Sequence, residues 1–282
     1  MSINFQRKLL PLLLLILSLH CHKTTGQDLE ISKKTTIFLQ LANFIDTDAY
    51  GEFRALFKKH DFDPNYICTA SYHTSLFSIA AMNGNIKIAR YLLKKGADIN
   101  KIDHFATAMH KALSDAHFEF GLFLLKKGYD PRIEKNIKLN KLPLNVIAAF
   151  PWCKDNKGKE LFKKLAENGM DLNSSDRDGA RALVLAVYFG NTELIDFLYG
   201  NGADMNKGVS PFKGNLSQRK DVVVLNNYSP LMMAVHYDKH SVVKQLLSFE
   251  NVDRKVKGTK NKKTALDIAI EKGDELMIGL LK

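Results

Sequence analysis

The chain has 282 residues, of which 45% are apolar and 25% charged, a balance that is ordinary for one or two folded domains. Three cysteines are too few for a disulfide framework or a four-cysteine zinc module. The net charge is +11, and the basic residues are 33 Lys and only 8 Arg. Because lysine does not make the bidentate hydrogen bonds by which arginine recognises bases and phosphates, this excess does not by itself indicate nucleic-acid recognition.

Residues 1–26 have the pattern of a signal peptide. Arg7 and Lys8 form a short basic start, and an apolar run of about eleven residues follows at 9–19. That run is too short to anchor the chain across a bilayer. We therefore expect an exported protein, which is periplasmic, envelope-associated or secreted, with a linker at 27–35 before the fold.

The sequence leaves two ways of processing this segment open. Thr24 and Gly26 supply small residues at the positions that ordinary cleavage before Gln27 would need. Alternatively, Cys21 directly follows the apolar run, as in a bacterial lipoprotein signal, although His20 fits that motif poorly. Lipidation of Cys21 would add a membrane tether, whereas ordinary cleavage would release the chain.

Two phrases then recur along the rest of the chain. The first is an aliphatic helix end, two polar residues and Gly-x-Asp-x-Asn, as at residues 92–100. The second precedes it at a fixed distance and reads Ser-Pro-Leu-Met-Met-Ala in its copy at 229–234. The spacing is about 33 residues, with two insertions. The Asp of the first phrase lies at positions 63, 98, 130, 171, 204 and 253.

The two phrases resemble those of the ankyrin repeat, Thr-Pro-Leu-His-x-Ala and Gly-Ala-Asp, and the resemblance covers residues 36–282. It implies an all-α solenoid of about seven helix-turn-helix repeats with inter-repeat hairpin loops. Thr or Ser would cap each first helix, and Gly would end each second helix in the left-handed conformation. The expected repeats are 36–69, 70–103, 104–137, 138–177, 178–206, 227–259 and 260–282, with an insertion at 207–226.

Extra residues interrupt this pattern in two places. The loop of the fourth repeat carries the chain's one tryptophan, Trp152, and the larger insertion at 207–226 carries Phe212. Both are open to two interpretations. Insertions at loop tips are thermodynamically cheap, so they can be tolerated drift; equally, loops on a rigid scaffold commonly carry function, so they can contact a partner.

The last two residues before each helix break are the best candidates for a concave binding surface. In ankyrin-like proteins these positions point to solvent. Adjacent aromatics such as Tyr188 and Phe189 are typical of interface hot spots, although they would also serve to cover the nearby insertion. The candidates are Met82, Asn83, Ser114, Asp115, Tyr188, Phe189, His236 and Tyr237.

The sequence offers no catalytic, metal or cofactor motif. His236 and His240 have the spacing of a metal pair but straddle the predicted turn between two helices, so they would not share a helix face. Residues 171–182 begin like a calcium loop but lack the Gly and Glu that such a loop requires. Phosphate loops, nucleophile elbows and zinc-protease motifs are missing as well. We expect no metal and no cofactor.

These observations predict an exported, monomeric, non-enzymatic scaffold that binds a protein partner, of unknown identity, through its concave face and hairpin tips. Because the chain is expected to be exported, we expect no nucleic-acid partner. A second hypothesis is that a basic surface binds an anionic envelope or host-cell polymer, and an enzyme is the third and weakest. The cations that motivate the second are Arg254, Lys255, Lys257, Lys260, Lys262 and Lys263.

Overall fold

The protein folds as pairs of antiparallel helices. The computed structural model describes residues 26–71, 73–103, 106–136, 147, 156–175, 181–208, 228–258 and 262–282. The helices in these ranges are α1 (Gly26–Asp46), α2 (Tyr50–Lys59), α3 (Leu76–Met82), α4 (Ile86–Lys94), α5 (Ala108–Ser114), α6 (Phe118–Lys126), α7 (Asn156–Glu167), α8 (Ala182–Phe189), α9 (Thr192–Gly200), α10 (Pro230–His236), α11 (His240–Leu247), α12 (Ala265–Lys272) and α13 (Glu275–Leu281).

Within the described residues, extended structure is confined to short pieces of the inter-repeat hairpins. Strands β1 (Ile67–Cys68) and β2 (Thr74–Ser75) pair antiparallel within the first of these hairpins. The expected all-α architecture of helix-turn-helix repeats is therefore confirmed. The chain divides between Tyr129 and Asp130 into two compact units, the first containing α1–α6 and the second α7–α13.

Hydroxyl side chains start most of the first helices. Each accepts a hydrogen bond from the backbone N–H three residues later, which satisfies one of the free donors at a helix N-terminus. These caps are Ser75, Thr107, Ser229 and Thr264. The fifth repeat departs from the rule, because Arg181 stands at the cap of α8 and its guanidinium donates instead to the carbonyl of Asn173.

The Gly-x-Asp-x-Asn phrase has a structural explanation. In all six copies the Asp carboxylate accepts a hydrogen bond of 2.8–3.0 Å from the backbone N–H two residues later, which closes the turn after the second helix. The Gly before it is left-handed, as at Gly96, where φ is +90°. The phrase therefore builds the hairpin rather than a ligand site.

Asparagine at the end of the phrase joins one hairpin to the next. Asn206 donates to the carbonyl of Asn251 at 2.6 Å and accepts from the N–H of Asp253 at 2.7 Å. Asn65 makes the same pair of bonds to the following hairpin, both at 2.8 Å. We call this arrangement the Asn clamp. Because both partners are main-chain groups, the clamp fixes the spacing of neighbouring repeats whatever their side chains.

The turns between the two helices of a repeat are joined by a second set of bonds. In the first unit the amides of Asn83 and Asn85 donate to the carboxylates of Asp46 and Asp48, both at 2.9 Å. At the corresponding turns of the last two repeats the partners are ionisable on both sides. There Lys272 pairs with Asp238 at 2.5 Å and His240 with Asp274 at 2.8 Å.

The first helices α8 and α10 are buried along nearly their whole length. In α8 every residue from 182 to 187 is buried, and in α10 every residue from 230 to 235. Consecutive first helices pack on each other, α8 against α10 and α10 against α12. In α8 and α10 the residues that meet solvent lie at or just after the C-terminal end, which places the candidate residues of these two helices at the surface of the second unit.

The structure adds one feature that the sequence did not suggest. Residues 27–35, assigned above to a linker, lie inside the 21-residue helix α1. Cys21, Trp152, Phe212 and residues 209–226 of the insertion lie outside the described residues. Among the helices that are described, none is both long enough and apolar enough to cross a membrane.

Candidate functional site

Five aromatic rings lie in contact along one edge of the second unit. Each ring meets the next nearly edge to face, an arrangement that aromatic quadrupoles favour. The centroid distances are 5.0 Å from Phe189 to Tyr188, 4.9 Å from Tyr188 to Tyr237, 5.0 Å from Tyr237 to His236 and 5.8 Å from His236 to Tyr228. We call these five residues the aromatic row.

Repeat geometry explains why the row forms. Tyr188 and Phe189 are the last two residues of α8, while His236 ends α10 and Tyr237 follows it. The two pairs occupy the same position in consecutive repeats, so the packing of α8 on α10 brings them together. Four of the eight candidate residues from the sequence thus form one cluster.

The row is partly buried along its length and open at one end. Phe189 exposes 46% of its surface, an unusual value for a large apolar side chain, whereas the other four rings are half-buried. Burial lowers the pKa of His236, and the nearby Lys272 lowers it further. Burial also raises the pKa of Tyr237, with a contribution from Tyr188. Both effects favour an uncharged surface at neutral pH.

Lys272 holds the end of α10 in place beneath the row. Its ammonium donates to the carbonyl of His236 at 2.7 Å and pairs with the carboxylate of Asp238 at 2.5 Å. A cation at the C-terminus of a helix also interacts favourably with the helix dipole. Sequence analysis missed both Lys272 and Tyr228, because neither belongs to the pair of positions that the repeat pattern singles out.

The other four candidates lie in the first unit, where two have internal roles. The amide of Asn83 donates to Asp46 and to the carbonyl of Ile79 at 3.0 Å, and the hydroxyl of Ser114 donates to the carbonyl of His110 at 3.0 Å. These bonds hold the helix ends. Because the two side chains already bond within their own unit, fewer of their polar groups are left to bind a partner. Ser114 is exposed.

Met82 and Asp115 complete this group. Both are half-buried, and burial raises the pKa of the Asp115 carboxyl, an effect that His117 opposes. The first unit therefore presents a small polar surface at these positions. It has no counterpart there to the aromatic row.

The described residues contain no group of three or more His, Cys, Asp or Glu side chains that could hold a metal ion. His236 and His240 lie on either side of the inter-helix turn, as expected, and His240 bonds to Asp274 rather than to a shared site. What the aromatic row offers chemically is apolar, rigid contact area.

Comparison with known proteins identifies the repeats. Two family models described as ankyrin repeats match the chain. One, described as three copies, matches residues 48–135 and 212–282, and the other, described as many copies, matches residues 156–199. Together they cover more than half of the chain.

Curated relatives share the repeats but only part of their length. An ankyrin repeat protein of Rickettsia felis is 28% identical over 139 residues, which are 46% of this chain and 58% of the relative. An L-asparaginase of Dirofilaria immitis is 26% identical over 176 residues, which are 62% of this chain but 26% of that protein. The chain therefore spans about half the length of the Rickettsia felis protein and about a quarter of the length of the Dirofilaria immitis protein.

Solved structures agree on the fold. An ankyrin repeat domain from Acinetobacter baumannii superposes with a TM-score of 0.58 at 20% identity and covers 73% of this chain and 95% of its own. The human ASB11 ankyrin repeat domain gives 0.62 at 18% identity, with 86% and 95% covered. At these identities the likeness concerns the fold alone.

Proposed function

This chain belongs to the ankyrin-repeat family, and we propose that it is an exported scaffold that binds a protein partner through its aromatic row. Ankyrin repeats are generally protein-interaction scaffolds without enzymatic activity. In such proteins the fold provides the mode of binding and the surface residues provide the choice of partner. In this chain we assign the recognition of the partner to Tyr188, Phe189, His236, Tyr237 and Tyr228.

One observation carries the proposal: a half-exposed Phe189 continues a row of four rings that already hold each other in place. Buried aromatic anchors supply most of the binding energy in many interfaces. Tyr and Phe also lose little conformational entropy on binding, and here their neighbours restrict them before a partner arrives. An open end next to fixed rings is the kind of surface that a partner's apolar side chain can extend.

Export is supported by the signal-peptide pattern at 1–26, and both ways of processing it remain part of the proposal. The two give different mature N-termini. The intact mass of the protein recovered from its native cells separates them, because cleavage before Gln27 leaves an unmodified chain whereas lipidation at Cys21 leaves a longer chain carrying fatty acid. A mass corresponding to the uncleaved chain would overturn export by either route.

The remaining candidates are separate, additional contact positions in this proposal. Met82 and Ser114 would add contacts from the first unit, and Trp152 and Phe212 would add them from the loops. The protein would act as a monomer, since a single copy carries the whole row.

The test is a photo-crosslink from the open end of the row. A photoreactive phenylalanine replaces Phe189 in the full chain, and the matched control places it at Lys244, an exposed position on the second helix of the same repeat as Tyr237. We expect one protein to be captured from Phe189 and to be absent from the control. Equal capture from both positions, or capture of nothing but polymer, would overturn the proposal.

A further inference from the structure

The hairpin between the sixth and seventh repeats concentrates positive charge. Six of the ten residues from 254 to 263 are Lys or Arg and none is Asp or Glu. We call its described cations the basic hairpin: Arg254, Lys255, Lys257, Lys262 and Lys263. The first four are exposed. With a Debye length of about 8 Å at physiological salt, charges this close along the chain act together on one ligand.

These cations have few internal partners. Lys263 pairs with Glu271, but Arg254, Lys255, Lys257 and Lys262 make no ion pair or side-chain hydrogen bond within the part of the chain that the structure describes. Two cations in other hairpins are bound to the main chain. The ammonium of Lys101 donates to the carbonyl of Asn65 at 2.7 Å, and Arg181 is bound in the same way to Asn173. Four of the five cations of the basic hairpin therefore form no direct side-chain bond in the described part of the chain, although Lys257 and Lys263 lie near enough to Asp267 to lower its pKa.

The backbone that presents this charge is fixed at both ends. Asn206 clamps its base through the carbonyl of Asn251 and the N–H of Asp253. Near the tip, the N–H of Gly258 donates to the carbonyl of Lys263 at 2.9 Å and the N–H of Lys262 to the carbonyl of Gly258 at 3.0 Å. A ligand would meet charges carried by a backbone that is held at these points, which lowers the entropy cost of ordering the loop on binding.

We propose that the basic hairpin is a docking site for a linear anionic polysaccharide. Lysine is a compact point charge on a flexible stem, so it suits carboxylate or sulfate groups at irregular spacing better than planar, bidentate partners. Residues 254–263 contain no aromatic side chain on which nucleic-acid bases could stack. They also contain no Leu, Phe or Trp to enter a bilayer. The site uses different side chains from the aromatic row and does not depend on the proposed protein partner.

The experiment measures binding of the full chain to a defined heparin oligosaccharide at about 0.15 M salt, the ionic strength at which screening is physiological. The test variant is Arg254→Gln/Lys255→Gln/Lys257→Gln. The matched control is Lys58→Gln/Lys59→Gln/Lys94→Gln, which removes the same net charge from exposed positions in the first unit. Circular dichroism of both variants verifies that they fold.

We expect the hairpin variant to bind heparin roughly tenfold more weakly, or worse, and the control to change by less than roughly twofold, because local charge rather than net charge attracts the polymer. Three results would overturn the proposal. They are no heparin binding by the native chain, an equal loss in both variants, and tighter, hairpin-dependent binding to phosphatidylserine vesicles or to a single-stranded oligonucleotide. Crosslinking from Phe189 tests the protein partner separately.

Discussion

The rings of Tyr188 and Tyr237 lie 4.9 Å apart and almost perpendicular, at 89°, although they come from repeats on either side of the large insertion. The contact shows that the insertion does not disturb the register of the first helices. It also divides the row into a fixed centre, where each tyrosine has a ring on both sides, and an open end at Phe189.

That division predicts different costs for removing the two kinds of ring. We expect Tyr237→Ala to lower the free energy of unfolding by about 2 kcal/mol, because it empties a half-buried site between two rings. We expect Phe189→Ala to cost under about 1 kcal/mol, because much of that ring already faces water. Urea unfolding of the two variants measures both values. Equal losses would mean that Phe189 belongs to the core.

His236 makes the stability of the second unit depend on pH. Because burial and Lys272 lower its pKa in the folded state, the unfolded chain binds the proton more readily. The free energy of unfolding should therefore fall as the pH drops below about 6.5, the ordinary pKa of histidine. We expect His236→Phe, which keeps a ring in the row, to lose part of this fall. Exposed His60 is the control, and a His60→Gln variant with the same flattened curve would contradict the assignment.

The Asn clamp predicts that the side-chain amide of Asn206 contributes more to the free energy of unfolding than the side-chain amide of Asn251. Asn206→Ala removes two hydrogen bonds to the next hairpin, so we expect a loss of about 1–3 kcal/mol. Asn251→Ala is the control, since its exposed side chain makes no bond in the described structure while its carbonyl still accepts. The control should stay within about 0.5 kcal/mol of the native chain. Urea-unfolding midpoints that move together would exclude a special role for Asn206.

Gly84 should be far less replaceable than the glycine at the same place in the fifth repeat. Both are left-handed, with φ of +64° at Gly84 and +71° at Gly190. A Cβ on Gly84 would lie 2.7 Å from the Nδ1 atom of His117, whereas one on Gly190 would have nothing within 4 Å. We expect Gly84→Ala to cost about 1–3 kcal/mol more than Gly190→Ala.

The same clash allows a double-variant test. Adding His117→Ala to Gly84→Ala removes the side chain that the new methyl group meets, so the two changes should cost less together than the sum of their separate effects. The free energies of unfolding of the two single variants and the double variant give this coupling. Strict additivity would show that His117 is not the obstacle.

The repeat spacing was enough to predict the architecture. The six Asp positions recur because each closes the same turn, and the caps recur because each first helix starts in the same way. The shared register also explains why the pairs at 188–189 and 236–237 are neighbours in the structure. Where a sequence obeys a repeat, spacing alone places residues in space.

The features that the sequence could not predict lie at positions outside the two recurring phrases. Helix α1 runs from Gly26 because residues 27–46 contain no Gly or Pro to end it, but no repeat phrase marks this segment. Tyr228 follows the insertion and does not belong to either recurring phrase. The repeat spacing therefore could not predict its contact with His236. The role of Lys272 could not be predicted either. A lysine near a helix end is common, and its bond to the carbonyl of His236 depends on tertiary packing.

The two kinds of turn-to-turn bond give the ends of the protein different sensitivities. Amide–carboxylate bonds at Asn83 and Asn85 have no charge on the donor, whereas the last repeat is held at the corresponding turn by the ion pair of Lys272 with Asp238. Dissolved ions screen the second kind more strongly. Raising the ionic strength should therefore speed amide hydrogen exchange in α12 and α13 before it affects α3 and α4, so that the salt content of the surroundings helps to set how often the last helix pair opens.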